Sequence, residues 1–301
     1  MLKVCVIYAG ISTEREVSIN TAKQIIKSLD RNKYEVSELK IDKPEDVFTL
    51  KDKDIDLVFI ALHGKFGEDG KVQAILESMN IKYTGSSVLA SAICMDKDIA
   101  KRIVSLSGVR TAKWMTVRKG ENFKFDERFS ELIAKPNNGG SSIGVHFVHN
   151  QKELEQALED IFTMDNEAII EEVIHGEEMT VPIIKGVSYP PLKIEALKGT
   201  WFDYRSKYED GGAKEYVAKL DEKLEKELKE FTEKIFYVTK CKGYARIDYL
   251  VRDNKAYFME VNSLPGLTAN SLLPKSLASL GIGYSEVLDL LINASIGEWW
   301  V

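Results

Sequence analysis

The sequence predicts a mixed fold: a doubly wound α/β unit on a parallel sheet, followed by α+β structure built on antiparallel strands. Three observations predict it. Across the first third of the 301 residues, short apolar runs alternate with stretches of helical period, and strands separated by helices make a parallel sheet. From Lys113 onward, short strands follow one another through glycine-rich turns with one intervening helix, the pattern of antiparallel pairing. Late in the chain, GYARIDYLV and AYFMEVN flank a short turn, Arg252 to Lys255, holding Asp253-Asn254, which reads as a hairpin.

The elements follow in order. Val4–Ala9 is a strand that ends at a Gly10 turn, and Glu16–Leu29 is an amphipathic helix. Thr13 and Glu16 have the spacing of a capping box, in which each side chain satisfies the other residue's amide. Tyr34–Lys40 and Asp56–Leu62 are strands and Val72–Met79 a helix. A break falls at YTGSS, Tyr83 to Ser87, followed by helices over Val88–Met95 and Asp98–Ser107. A small α+β unit then uses Lys113–Val117, Leu132–Lys135, Val145–His149, Ala168–Val173 and Met179–Lys185 as strands and Lys152–Phe162 as a helix. The last third holds strands at Leu192–Leu197, Ala245–Val251 and Ala256–Val261 and a long helix from Asp221 to Thr239. Trp201 to Tyr216, rich in aromatics and charges without a sustained period, reads as a long loop, and such loops are usually lids or binding loops.

Composition narrows the function. Net charge is −6 and the pI about 5.5, against a nucleic-acid partner, which needs clustered cations. The basic run around Lys219 to Lys229 is interleaved with glutamates and reads as a solvated face. Cys5, Cys94 and Cys241 are widely spaced, without CxxC or metal-finger spacing, and read as buried free thiols of a reducing compartment. The N-terminal apolar run is too short for a signal peptide, and no run approaches the ~18–20 residues that span a bilayer. The expectation is a soluble cytoplasmic protein with neither nucleic-acid nor membrane partners.

Chemistry concentrates in the hairpin. Residues two apart share a strand face, so Arg246 and Asp248 project together, as do Glu260 and Asn262 on the next strand. Buried charge without partners costs several kcal/mol. Either Arg246 and Asp248 form a satisfied bridge with Glu260 at a solvated edge, or Asp248, Glu260 and Asn262 offer the oxygen ligands a hard cation such as Mg²⁺ prefers. In the second case Arg246 can neutralise a transferring phosphoryl group. Lys97 and Lys135 are candidate phosphate lysines, while the Walker and G-x-G-x-x-G patterns are absent.

KPNNGGSSIGV, Lys135 to Val145, contains G-x-S-x-G, the nucleophile-elbow pattern. An elbow needs a strand before the serine and a helix after it. Here a Pro136-Asn-Asn turn precedes it and an alternating strand pattern follows. The loop therefore reads as a phosphate cradle, glycines permitting close approach and Ser141 and Ser142 adding donors.

With these residues in place, the chain resembles the D-alanine–D-alanine ligase family of the ATP-grasp superfamily. The resemblance rests on GISTEREVS (Gly10–Ser18), ALHGKFGEDGKVQ (Ala61–Gln73), YTGSSVLASAICMDK (Tyr83–Lys97), KPNNGGSSIGV, EEVIHGEEMTV (Glu171–Val181), FDYRSKY (Phe202–Tyr208), GYARIDYLV and MEVNSLPGLTANS (Met259–Ser271), all in order. It implies three domains: 1–85 for substrate binding, 86–178 as a small central α+β unit, and 179–301 as a catalytic α+β domain with an antiparallel sheet and a lid over 201–216. It implies that ATP phosphorylates the carboxylate of one D-alanine and that the amine of a second attacks the acyl phosphate, in peptidoglycan precursor synthesis.

By the same resemblance Lys97, Lys135, Ser142 and Lys207 belong to the nucleotide site, with Glu171 and the segment Glu172, Val173 and Ile174 at the adenine and Glu178 at the ribose. Asp248, Glu260 and Asn262 would hold Mg²⁺, two ions per site with Mn²⁺ as a substitute, and a monovalent cation can join them. Arg246 would stabilise the transferring phosphoryl with an amide from Gly266. Glu14 and His63 would hold the first substrate, Ser271 and Leu272 the carboxylate of the second. Ser141, Tyr208 and Glu14 would tie the lid to the site, and a homodimer is implied. Lys207-Tyr208 is similar to the dipeptide-forming members. Read alone, Glu14 and Glu16 are also first-turn acids favoured by the helix dipole, His63 a turn residue and Tyr208 one aromatic of a packed loop. Two departures stand out: Ala9 replaces a glycine in the first loop, and Phe202 replaces a tyrosine in the lid.

Overall fold

The computed structural model describes residues 1–196 and 213–296. Its first sheet has the order β2-β1-β3, with β1 Leu2–Ala9, β2 Tyr34–Ile41 and β3 Leu57–Ile60, all parallel. The middle strand is apolar because it is covered on both faces: Val4, Cys5, Val6 and Ile7 are fully buried. Helix α1, Arg15–Ser28, buries Ser18, Thr21, Ala22 and Ile25, one stripe at helical spacing. Ser18 accepts from the Ala9 amide at 2.8 Å and donates to the Ala61 carbonyl at 2.7 Å, so its buried hydroxyl joins the ends of β1 and β3. A 3₁₀ helix, Pro44–Asp52, which the pattern does not reveal, leads into β3.

The predicted capping box is absent. The helix starts at Arg15 with Glu14 as N-cap and no side-chain cap bond; the Glu14 carboxylate accepts from Ser141 instead. Past β3 come α2, Lys71–Ser78, α3, Val88–Met95, and α4, Lys97–Leu106.

The second sheet is antiparallel, in the order β4-β7-β5-β6: β4 Trp114–Arg118, β5 Leu132–Pro136, β6 His146–Val148 and β7 Glu167–Glu172. Helix α5, Gln151–Ile161, covers it with Leu154, Ala157, Leu158 and Ile161 and is capped by Asn150, which accepts from the Glu153 amide.

The third sheet runs β11-β10-β8-β12-β13, with β9 on β8. Its strands are β8 Glu177–Ile184, β9 Val187–Ser188, β10 Leu192–Ala196, β11 Ala213–Val217, β12 Tyr244–Arg252 and β13 Lys255–Asn262. Two expectations change here. The strand expected at Met179–Lys185 does not close the second sheet; it lies between β10 and β12 in the third. The expected loop ends earlier than Tyr216, because Ala213–Val217 pairs with β10. Trp201, Phe202, Lys207 and Tyr208 lie outside the described residues.

Helix α6, Glu222–Val238, packs its Leu224, Leu228, Thr232, Ile235 and Phe236 stripe on this sheet. Helices α7, Leu272–Ala278, and α8, Tyr284–Ile296, close the chain's described part, α8 burying Val287, Leu288, Leu291 and Ile292 in the core of the first sheet. All three cysteines are buried and free, yet Cys94 and Cys241, distant in sequence, face each other with sulfurs 3.5 Å apart. Among the described residues no helix is long and apolar enough to cross a membrane.

Candidate active site

The site is built on the β12–β13 hairpin. Asp253 and Asn254 take the left-handed conformation, φ 51° and 57°, which a two-residue hairpin turn of matching twist requires. The turn sets the register from Arg252–Lys255 to Tyr249–Phe258, and a bulge at Met259 then shifts it by one residue, so that Asp248 pairs with Glu260 and Arg246 with Asn262. Arg246 grips Asp248 through two bonds, Nε to Oδ1 at 2.9 Å and Nη2 to Oδ2 at 2.7 Å. Thr180 from β8 donates to Oδ1 at 2.6 Å, and Asn262 Nδ2 to Oδ2 at 3.0 Å. The Arg–Asp bridge left open by the sequence is therefore made. Glu260 lies on β13, the edge strand of this sheet, yet its side chain and the other three line one cavity of about 570 Å³, a volume typical of ligand sites.

Among the described residues no group of three or more His, Cys, Asp or Glu makes a ready cation cage. The hairpin instead offers two carboxylates and one carboxamide, an all-oxygen donor set that suits Mg²⁺ and leaves positions for phosphate oxygens. The residues fit the ion.

Across the cavity lie α4 and the loop after β5. Asp96 caps α4, accepting from the Ile99 amide at 2.9 Å. Lys97 and Lys101 fall four residues apart on its buried face. Lys97 donates to the Gly139 carbonyl and stands 3.8 Å from Glu260 Oε2, spanning the gap to the hairpin. Ser141 and Ser142 both hold left-handed backbone, φ 55° and 57°, a conformation that costs a non-glycine residue about 1–2 kcal/mol and is characteristic of functional loops. The next element after them is the three-residue strand β6 and not a helix, so no nucleophile elbow forms.

Lys135 pairs with Glu171, whose other oxygen accepts from Lys101 at 2.7 Å. Burial alone would raise the Glu171 carboxyl, but the two ammonium groups override it and hold it at about 2. Lys135 and Ser142 line a smaller space of about 50 Å³ that shares Lys97, Glu178 and Glu260 with the main cavity.

The ends of β1 and β3 supply the far wall. Ser12 accepts from the Glu14 amide at 3.1 Å and donates to the His63 carbonyl at 2.6 Å. The Glu14 carboxylate accepts from Ser141. His63 is buried, Nε2 at 3.2 Å from Thr21 Oγ1 and Nδ1 at 3.6 Å from Glu68. At the other end Ser271 accepts from the Thr268 amide at 3.0 Å, and a Cβ on Gly266 would fall 3.0 Å from its oxygen.

Of the residues singled out by sequence, Glu14, His63, Lys97, Ser141, Glu178, Arg246, Asp248, Glu260, Asn262, Gly266, Ser271 and Leu272 share the main cavity. Glu171, Glu172, Val173 and Ile174 line neither space. Glu171 faces the lysines, Glu172 accepts from the Lys113 amide at 2.9 Å, and Ile174 is buried. Sequence reading missed Thr180, Lys101 and the Lys275–Glu215 ion pair in the cavity wall. Only Lys101 left a signal, its spacing of four from Lys97.

Two antiparallel sheets that meet over a cleft, lysines on one side and a carboxylate–arginine hairpin on the other, define an ATP-grasp ligase. Family models described as D-ala D-ala ligase N-terminus and D-ala D-ala ligase C-terminus match residues 3–54 and 45–86, and residues 103–293. The chain is 43% identical over 300 residues to the D-alanine–D-alanine ligase of Clostridium beijerinckii, covering 98% of this chain and 99% of that one. It is 45% identical over 299 residues to that of Clostridium perfringens, covering 98% of each. The crystal structure of the Bacillus anthracis D-alanine–D-alanine ligase complexed with ATP superposes with a TM-score of 0.89 at 40% identity, covering 98% of both chains. The chain belongs to the D-alanine–D-alanine ligase family.

Proposed function

We propose the following division of labour for the ATP-dependent joining of two D-alanines, the reaction of this family, which proceeds through D-alanyl phosphate. The observation that carries it is the hairpin register, which sets Arg246, Asp248, Glu260 and Asn262 around one cavity with Lys97 opposite. Lys97 and Lys135 hold the phosphates, with Ser142 and its neighbouring glycines as backbone donors and Lys207 as a further cation. Glu178 takes the ribose, and Glu171 to Ile174 border the adenine. Asp248, Glu260 and Asn262 would hold magnesium, two ions per site, which would supply charge neutralisation to the phosphates.

Glu14 binds the first D-alanine's ammonium beside His63, its carboxylate oriented by Ser141. Arg246 and the Gly266 amide stabilise charge on the transferring phosphoryl and on the tetrahedral intermediate. Ser271 and Leu272 fix the second D-alanine's carboxylate. Exclusion of the water that would hydrolyse an acyl phosphate falls in this reading to the segment that carries Tyr208, which lies outside the described residues. We assign residues 1–85, 86–178 and 179–301 to three domains of a cytoplasmic homodimer.

The test is ADP release with D-alanine, ATP and Mg²⁺, with products separated by chromatography. D-Alanyl-D-alanine is the expected product at neutral pH. A preference for D-lactate as acceptor would overturn the reading of the second subsite.

A further inference from the structure

Lys101 is the most deeply buried charged side chain among the described residues, 1% exposed. It lines neither space of the active site. Its ammonium donates to Glu171 Oε2 at 2.7 Å and stands 5.2 Å from the centre of the Trp114 ring, which is itself fixed by an Nε1 bond to Asp98 at 2.8 Å. Glu171 Oε1 accepts from Lys135. The register explains the last contact: Ile133 pairs with Glu171 and Lys135 with Ile169, so Glu171 and Lys135 are diagonal neighbours on one face. Three elements, α4, β7 and β5, thus place two cations on one buried carboxylate.

The charge count gives this arrangement a purpose. Glu171 paired with Lys135 alone would form a neutral couple, with little left to attract a phosphate. A second cation on the same carboxylate leaves the trio at +1, and only Lys135 reaches the cavity. Lysine is a point charge on a flexible stem, so a carboxylate that is itself pinned from behind also fixes where that charge sits. The same helix carries Lys97 one turn earlier, so both cavity lysines are referred to one rigid element.

We propose that Lys101 is a positioning residue for the nucleotide's phosphates, acting through Glu171 on the place and effective charge of Lys135. This rests on the reading that Lys135 contacts the phosphates of ATP. A purely structural ion pair would be expected to lower stability and to touch both substrates alike.

The experiment compares steady-state kinetics of the purified, folded enzyme and four variants, with ATP and D-alanine varied separately. Lys101→Met makes the trio neutral, and the KM for ATP should rise about 10–100-fold, the usual size of an outer-contact effect, while the KM for D-alanine stays put. Lys101→Arg keeps the charge and should recover most of the loss. The double variant Lys101→Met/Glu171→Gln restores +1 and should bind ATP better than Lys101→Met, although it has lost more contacts. If Lys101→Met fails to fold, the double variant and Lys101→Arg still carry the comparison, and an ATP KM in the double variant raised as far as that of Lys135→Met would overturn the charge argument. An unchanged KM for ATP in Lys101→Met, or a double variant no better than the single, overturns the proposal. Lys135→Met separates the two levels: if it raises the KM for ATP where Lys101→Met does not, only the relay falls. If Lys135→Met leaves that KM unchanged, the phosphate reading itself falls.

Discussion

Glu14 and Gly64 show how closely the first subsite is fitted. Gly64 has φ 69°, and a Cβ there would lie 2.8 Å from Glu14 Oε2 and 3.0 Å from the Ser12 Cβ. A left-handed alanine costs about 1–2 kcal/mol, and the methyl must also displace the carboxylate proposed to hold the ammonium. Gly64→Ala should raise the KM for D-alanine about tenfold, the equivalent of 1.4 kcal/mol, and leave that for ATP alone; initial rates with either substrate varied decide it. At this scale the sequence was informative where residue type and strand period acted together: Arg246, Asp248, Glu260 and Asn262 fell two apart on their strands and met in the structure. Thr180 was not foreseeable, because its bond to Asp248 depends on β8 lying beside β12, a pairing no local pattern encodes. Glu171 was expected at the adenine, yet its carboxylate is turned to Lys101 and Lys135.

Helix α4 carries both Lys97 and Lys101, and its start is fixed by the Asp96 cap. Asp96→Ala should lower stability by about 1 kcal/mol, with Asp96→Ser recovering much of it; urea midpoints at constant m check this. The longer elements were legible because an amphipathic stripe survives shifts of one or two residues, as in α1, α5 and α6. The capping box at Thr13 and Glu16 is not made because the helix begins at Arg15 with Glu14 at the cap position, one residue later than a Thr13 cap requires, and a spacing alone does not fix that start. Strand β11 failed for another reason. AKEYV opens with Ala213, Lys214 and Glu215, residue types depleted in strands, and it becomes a strand through pairing with β10, context overriding propensity. In α7, Pro274 sits in the first turn, where it is tolerated; the sequence reading assigned no helix there.

Over the whole molecule, elements from all three sheets border one cavity, and the buried Lys101–Glu171–Lys135 trio ties α4 to the second sheet. Its pH dependence follows from Glu171, whose carboxyl is lowered from 4.5 to about 2 in the folded chain. A lowered carboxyl stabilises the fold fully above its unfolded value and loses that contribution as pH falls from 4.5 towards 2. Stability measured by urea titration should therefore decline across that window, and Glu171→Gln should flatten the decline; equal slopes in the two proteins would refute this assignment. The order of the motifs along the chain announced the family, but the way α4 bridges the second and third sheets is a matter of tertiary packing.

The central claim is that the hairpin carboxylates and the two cavity lysines grip one magnesium nucleotide from opposite sides. A crystal structure with Mg²⁺ and a non-hydrolysable ATP analogue tests it most directly. The account predicts metal–oxygen distances of about 2.0–2.1 Å to Asp248, Glu260 and Asn262, with Lys97 and Lys135 on the phosphates. Carboxylates of Asp248 and Glu260 turned away from the phosphates, or a metal held elsewhere, would contradict it.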